Sequence, residues 1–144
     1  MREILFKART NYDGKWVEGY YCKWLRGERI ITYSEKETDC IITWMSNGGM
    51  SRYEVDPETL CQFTGLIDKN GKRIWENDIV EAWSQGSRAI GTVKQRVDGL
   101  WIMSPAWQNH EFWELKPNGN GETTVEVLGN AFDNPELLQE ESNE

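Results

Sequence analysis

Proton transfer near neutral pH is most often the work of histidine, and this chain has one, His110, in Trp107-Gln108-Asn109-His110-Glu111. A His–Glu neighbour pair is a weak catalytic signal, and His110 reads as a surface or loop residue. Glu76 and Asp78 lie two apart in Ile74-Trp75-Glu76-Asn77-Asp78-Ile79. On an extended segment both would share a face, where like charges raise one pKa. The same spacing fits carboxylates that accept backbone hydrogen bonds at a turn, and that structural role is the expectation. Glu111 and Glu114 match neither a strand face nor a catalytic motif. The three cysteines, Cys22, Cys40 and Cys61, include no Cys-x-x-Cys pair. With His110 they lack the short ligand spacing of a zinc site, so they read as free buried thiols. Phosphate-binding glycine loops and the nucleophile elbow are absent from the sequence. The expectation is a non-enzymatic protein with no catalytic, cofactor-binding or metal-binding residues.

Tryptophan is the unusual enrichment, with 8 in 144 residues. A small domain cannot hide every indole, because each is large and its N–H needs a partner. Trp101, Trp107 and Trp113 recur at intervals of six across a segment containing Pro105 and Asn109. They are the expected partner-binding patch, for a protein or a stacked base.

Charge is unevenly spread. The formal net charge is -8, yet residues 1–72 hold 11 acidic and 11 basic side chains. Residues 73–144 hold 13 acidic and 5 basic ones. Nucleic-acid binding needs clustered Lys and Arg, so the second half is disfavoured for it. The acidic end (Asp133, Glu136, Glu140, Glu141, Glu144) reads as a solvated tail. No apolar run reaches membrane-spanning length, and Met1-Arg2-Glu3-Ile4-Leu5-Phe6-Lys7 lacks a signal-peptide core. A cytoplasmic protein without a membrane contact is expected.

The elements that must position these residues are mostly strands and turns. Ile4–Arg9 and Trp16–Trp24 read as strands joined through Asp13-Gly14, a dipeptide suited to tight hairpins. Arg29–Tyr33 and Asp39–Trp44 are further β-rich runs, closed by Asn47-Gly48-Gly49. Asp56 before Pro57 predicts a capped single helical turn. Phe63–Leu66 and Asp68–Lys72 supply a turn. Short strands follow at 78–83, 89–97, 100–103, 111–115 and 123–128. Five of them in so short a stretch predict a small closed barrel, since closure removes strand edges. Asn134 and Pro135 predict a capped terminal helix over 133–138.

One combination of motifs is specific. Val55-Asp56-Pro57-Glu58-Thr59-Leu60 is followed by Phe63-Thr64-Gly65-Leu66, Asp68, Asn70-Gly71-Lys72, Ile74, Glu76 and Asp78-Ile79-Val80. With Ile4–Arg9, Gly14–Gly19 and the ending Val127–Leu138, it resembles the YopX family, small proteins of bacterial phages and prophages. Segments 25–52 and 84–122 resemble it poorly. The resemblance implies an all-β fold with an SH3-like C-terminal barrel, and brings no catalytic residues. The expected organisation is an N-terminal β-hairpin or sheet subdomain (1–60), the SH3-like barrel (61–132), and a short helix with an acidic tail (133–144). Gly65, Gly71 and Gly129 read as backbone requirements at turns. Glu76, Asp78, Asn130 and Asp133 read as caps of turns or strand ends, alongside Asp56 and Pro57.

A protein partner or a second copy of the chain is the leading expectation, with nucleic acid disfavoured overall. Two alternatives stand beside it. One is single-stranded nucleic acid on the balanced N-terminal half, through Lys7, Arg9, Lys23, Arg26 and Arg29 with Tyr20 and Trp24. The other is an acidic decoy that covers a host DNA-binding protein.

Overall fold

A computed structural model describes residues 3–26, 36–84, 86–106 and 112–139. The fold is all-β. Its strands are β1 (Phe6–Arg9), β2 (Trp16–Arg26), β3 (Lys36–Trp44), β4 (Met50–Glu54), β5 (Cys61–Ile67), β6 (Arg73–Trp75), β7 (Asp78–Ser84), β8 (Ser87–Gln95), β9 (Trp101–Pro105), β10 (Trp113–Glu114) and β11 (Glu126–Asn130). Two single-turn 3-10 segments, Pro57–Thr59 and Pro135–Leu138, complete it. The expected run Arg29–Tyr33 lies outside the described residues. The chain divides into two units, 1–62 and 63–144, with the boundary inside β5.

In the first unit, antiparallel ladders join β4 to β3, β3 to β2, β2 to β1, and β1 to the start of β5. Gly14 takes φ +70 in the β1–β2 turn, as Asp13-Gly14 requires. A bridge between Thr10 and Val55 returns the end of β4 to β1. Two bonds reinforce it: the Asn11 N–H donates to the Glu54 carbonyl at 2.9 Å, and the Asp56 N–H to the Arg9 carbonyl at 2.9 Å. The strands thus curl around Ala8, Ile41 and Val55, with Phe6, Val17, Tyr21 and Leu60 packed against them. Strand side chains alternate between faces. Because Val17 and Tyr21 point inward, Trp16, Glu18, Tyr20, Cys22 and Trp24 point outward. β4 is absent from the sequence expectation: it is short, and only Met50 and Tyr53 mark it as apolar.

In the second unit the sheet order is β10-β9-β8-β7-β11. Its core is Ile74, Val80, Ala82, Ala89, Val93, Trp101, Met103, Leu115 and Val125. The β5–β6 pairing slips between Phe63 and Ile67, where Gly65 sits at φ +81. This bulge explains why Phe63–Leu66 reads as part of a turn in sequence. The expected SH3-like closure is not confirmed: among the described residues no ladder joins β10 to β11. The cause lies in 115–125. Lys116 takes φ 45, Asn118 builds a turn, and Glu122 bridges to Ile67 instead of continuing from β10.

Candidate binding surface

The outer face of the first unit is built from strand parity and register. Cys22 pairs with Cys40, Tyr20 with Ile42 and Trp24 with Thr38 across β2–β3. Across β3–β4, Ile42 pairs with Arg52 and Trp44 with Met50. On β1, Lys7 and Arg9 share this face through their pairing with Glu18 and Trp16. The result is a surface of indoles with cations laid on them. Lys7 Nζ lies 4.9 Å and the Arg9 guanidinium 5.3 Å from the Trp16 ring. The Arg52 guanidinium lies 4.4 Å from the Trp24 ring. The register puts the Cys22–Cys40–Glu54 row between Arg52 and Trp24, and Cys40 is completely buried. That burial pushes the Cys40 thiol up, with the Cys22 sulfur adding to it, and withdraws it from nucleophilic chemistry at neutral pH. Cys22 is only half-buried, against the expectation of three buried thiols, and all three cysteines are free.

At the end of the same hairpin, Trp44 is 67% exposed and Met50 opposite it 56%. Met45, beside them, is also exposed, and its sulfur accepts the Ser51 hydroxyl at 3.2 Å. Inside the unit, the Tyr21 hydroxyl donates to Asp39 Oδ1. That hydrogen bond, then burial, then the Asp39 charge push the Tyr21 phenol up to about 12.

The expected patch on the second unit does not form as drawn. Trp101 is buried at 6% exposure in the core, and Trp113 packs half-buried against the same core. Trp107 lies outside the described residues, as does His110. Trp101 packs into the core of the second unit, and its Nε1 has no hydrogen-bond partner among the described residues.

The residues expected to shape turns are placed as follows. Asp56 Oδ1 accepts the Glu58 N–H at 3.0 Å, and Pro57 opens the 3-10 turn. Gly71 takes φ +80. Asp78 is buried, and its Oδ2 accepts the Trp75 N–H at 2.8 Å. Asn77 between Glu76 and Asp78 takes φ 69, so the two carboxylates sit across a turn and not on one strand face. Asn130 Oδ1 accepts the Phe132 and Asp133 N–H groups, and its Nδ2 donates to Asp133. A Cβ on Gly129 would stand 2.4 Å from Asn134 Oδ1. Contrary to expectation, Asn134 does not cap the final turn with its side chain; its Oδ1 instead accepts the Asn130 N–H at 3.2 Å.

Sequence reasoning missed Arg52, Trp44 and Asp68. Asp68 is buried; its Oδ1 accepts the Asn70 and Lys72 N–H groups at 2.8 Å each, and its Oδ2 the Val127 N–H at 3.0 Å. Among the described residues, no group of three or more His, Cys, Asp or Glu could hold a metal ion. Among the same residues, no helix is long and apolar enough to cross a membrane.

The fold and its outer face therefore define an all-β protein of antiparallel sheets, whose most distinctive surface is aromatic and cationic. The family described as YopX protein matches residues 6–139, and the chain belongs to it. The crystal structure of protein EF1440 from Enterococcus faecalis aligns with 96% of this chain and 100% of its own, at 21% identity and a TM-score of 0.43. No curated protein matches the chain.

Proposed function

We propose that this protein is a non-enzymatic accessory protein of a phage or prophage, acting in the bacterial cytoplasm as a protein-binding or self-associating module. One observation carries the reading: the β3–β4 hairpin presents the Trp44–Met50 pair, with Met45 beside it, to solvent. Tryptophan and methionine are enriched at protein contacts, and a Trp anchor in a partner pocket contributes disproportionately to affinity. An indole left exposed on a hairpin gains nothing for folding, whereas burial against a partner removes its apolar area from water.

The test replaces Trp44 and Met50 by serine and puts a photo-crosslinking side chain at position 45. The expected results are a mass that rises with concentration in sedimentation, or a crosslink to one defined protein. Both should disappear in Trp44→Ser. A monomer with no crosslink, or association indifferent to Trp44→Ser, would refute the reading.

A further inference from the structure

We infer that the protein forms a symmetric dimer through the outer edge of β4, with the Trp44–Met50 tip of one copy meeting that of the second. The inference rests on the reading of that tip as a contact surface and names its occupant, a second copy of this chain. β4 is the terminal strand of its sheet, paired on one side with β3. Two bonds fix which of its backbone groups face inward. The Val55 N–H donates to the Asp39 carbonyl at 3.0 Å, and the Met45 N–H to the Gly49 carbonyl at 2.7 Å. Hydrogen-bonded and non-hydrogen-bonded pairs alternate along an antiparallel ladder. Ser51 and Tyr53 therefore bond to β3, whereas Met50, Arg52 and Glu54 aim their backbone groups off the sheet edge. The Glu54 carbonyl accepts the Asn11 N–H at 2.9 Å from that side, in agreement with this parity. Met50 and Arg52 lie beyond that contact, and among the described residues no strand pairs with them there.

This edge lacks the usual protections against strand addition. β4 contains no proline or lysine, and its pairing with β3 has no bulge. Its one cation, Arg52, is laid back across the sheet on the Trp24 ring. A second β4 can add antiparallel with the two-fold axis at Met50, so that the two Met50 residues form a hydrogen-bonded pair. The outer face then carries an unbroken row, Trp44–Met50–Met50–Trp44, across four strands, and each tip covers the exposed apolar area of the other. Two residues along, Arg52 comes opposite Gly48 of the second copy, which has no side chain to displace the guanidinium from Trp24. An axis at Ser51 would instead set Gly48 opposite Glu54, whose outward carbonyl Asn11 already occupies. The occupant must therefore offer an apolar residue opposite Met50 and a bare backbone opposite Arg52. The Gly48-Gly49-Met50 segment of this same hairpin offers both. Such a contact is its own complement and closes at two copies.

The experiment uses the full chain. Sedimentation should show monomer and dimer in a concentration-dependent balance, with nothing larger. Met50→Lys sets like charges directly opposite each other at the axis and should weaken the dimer about tenfold or more. Met50→Pro removes the outward N–H without touching the ladder to β3 and should weaken it likewise, whereas Met50→Leu should not. In a Cys22→Ser background, which removes the half-buried thiol, Met50→Cys should form an intermolecular disulfide under mild oxidation. The Cα separation of about 5.5 Å in a hydrogen-bonded pair lies within disulfide reach. Tyr12→Cys, 97% exposed on the β1–β2 turn, should crosslink far more slowly. Circular dichroism shows whether each variant is folded. The inference is overturned by a chain that stays monomeric, by species larger than a dimer, or by Met50→Cys crosslinking no faster than Tyr12→Cys. A crosslink from position 45 to a different protein, without a dimer, overturns it and leaves the contact-surface reading standing. Association that needs Trp44 but is undiminished in folded Met50→Pro does the same.

Discussion

Asp68 offers the sharpest energetic prediction. It is a buried carboxylate at the β5–β6 turn that also reaches β11, accepting N–H groups from Asn70, Lys72 and Val127. Replacing it by alanine removes three charge-assisted bonds at once. The Asn70 and Lys72 amides belong to exposed residues and can rehydrate, so each should cost about 1 kcal/mol. The Val127 amide is half-buried and pairs with the second oxygen of the same group; its loss should cost about 1–2 kcal/mol. Asp68→Ala should therefore destabilise the second unit by about 3–4 kcal/mol. Asp68→Asn separates the contributions. Its remaining oxygen can serve the turn, but its amide nitrogen would face the Val127 donor, so the loss should be about 1–2 kcal/mol. Urea denaturation read by hydrogen exchange in 78–106 isolates that unit from the first. A cost under about 1 kcal/mol for alanine, or an equal cost for both variants, would refute this account.

Two further outcomes follow from the geometry. One of the five tyrosines should titrate at about 12 in the folded protein, read by ultraviolet absorbance, and Tyr21→Phe should remove that step. Because the folded pKa lies above the unfolded value of about 10, the stabilisation is complete below pH 10 and is lost as pH rises toward 12. Tyr21→Phe should therefore flatten the alkaline limb of a melting-temperature profile. Trp101→Ala should cost about 3–5 kcal/mol in the denaturation of the second unit, the penalty of a large core cavity. The self-association or crosslink proposed for the first unit should survive that change at temperatures where the variant remains folded.

The turns were legible in the sequence because their chemistry is local. Asp13-Gly14 and Asp56-Pro57 specify backbone angles and caps within a few residues, and both are formed. The all-β class follows from the same punctuation. The outer face of the first unit was only half legible. Trp16, Tyr20 and Trp24 share parity, but Val17 and Tyr21 make the opposite face equally apolar, so alternation alone does not say which side is solvent. Arg52 was invisible because its contact with Trp24 depends on the β2–β3–β4 register, which is set by long-range pairing. The barrel expected from strand count is not confirmed, for a related reason. Strand count predicts closure only if the last strands meet, and the Asn118 turn diverts the chain before they do. Asn134 failed as a cap because a closer donor, the Asn130 amide, takes its oxygen.

Both units keep some tryptophans buried and leave others exposed, Trp83 of the second unit among them. Trp75 and Trp101 are buried in the second unit, with Trp113 packed against its core, where their area stabilises the fold. Trp24 and Trp44 of the first unit stay exposed although that unit has an apolar interior of its own. Bare indoles on a surface invite indiscriminate association. Arg52 on Trp24, with Lys7 and Arg9 on Trp16, covers such rings with charge and keeps them in water. Folding stability alone does not require that arrangement, since smaller polar residues on β2 would leave the inner face intact. The Trp44–Met50 pair on the same face stays exposed as well.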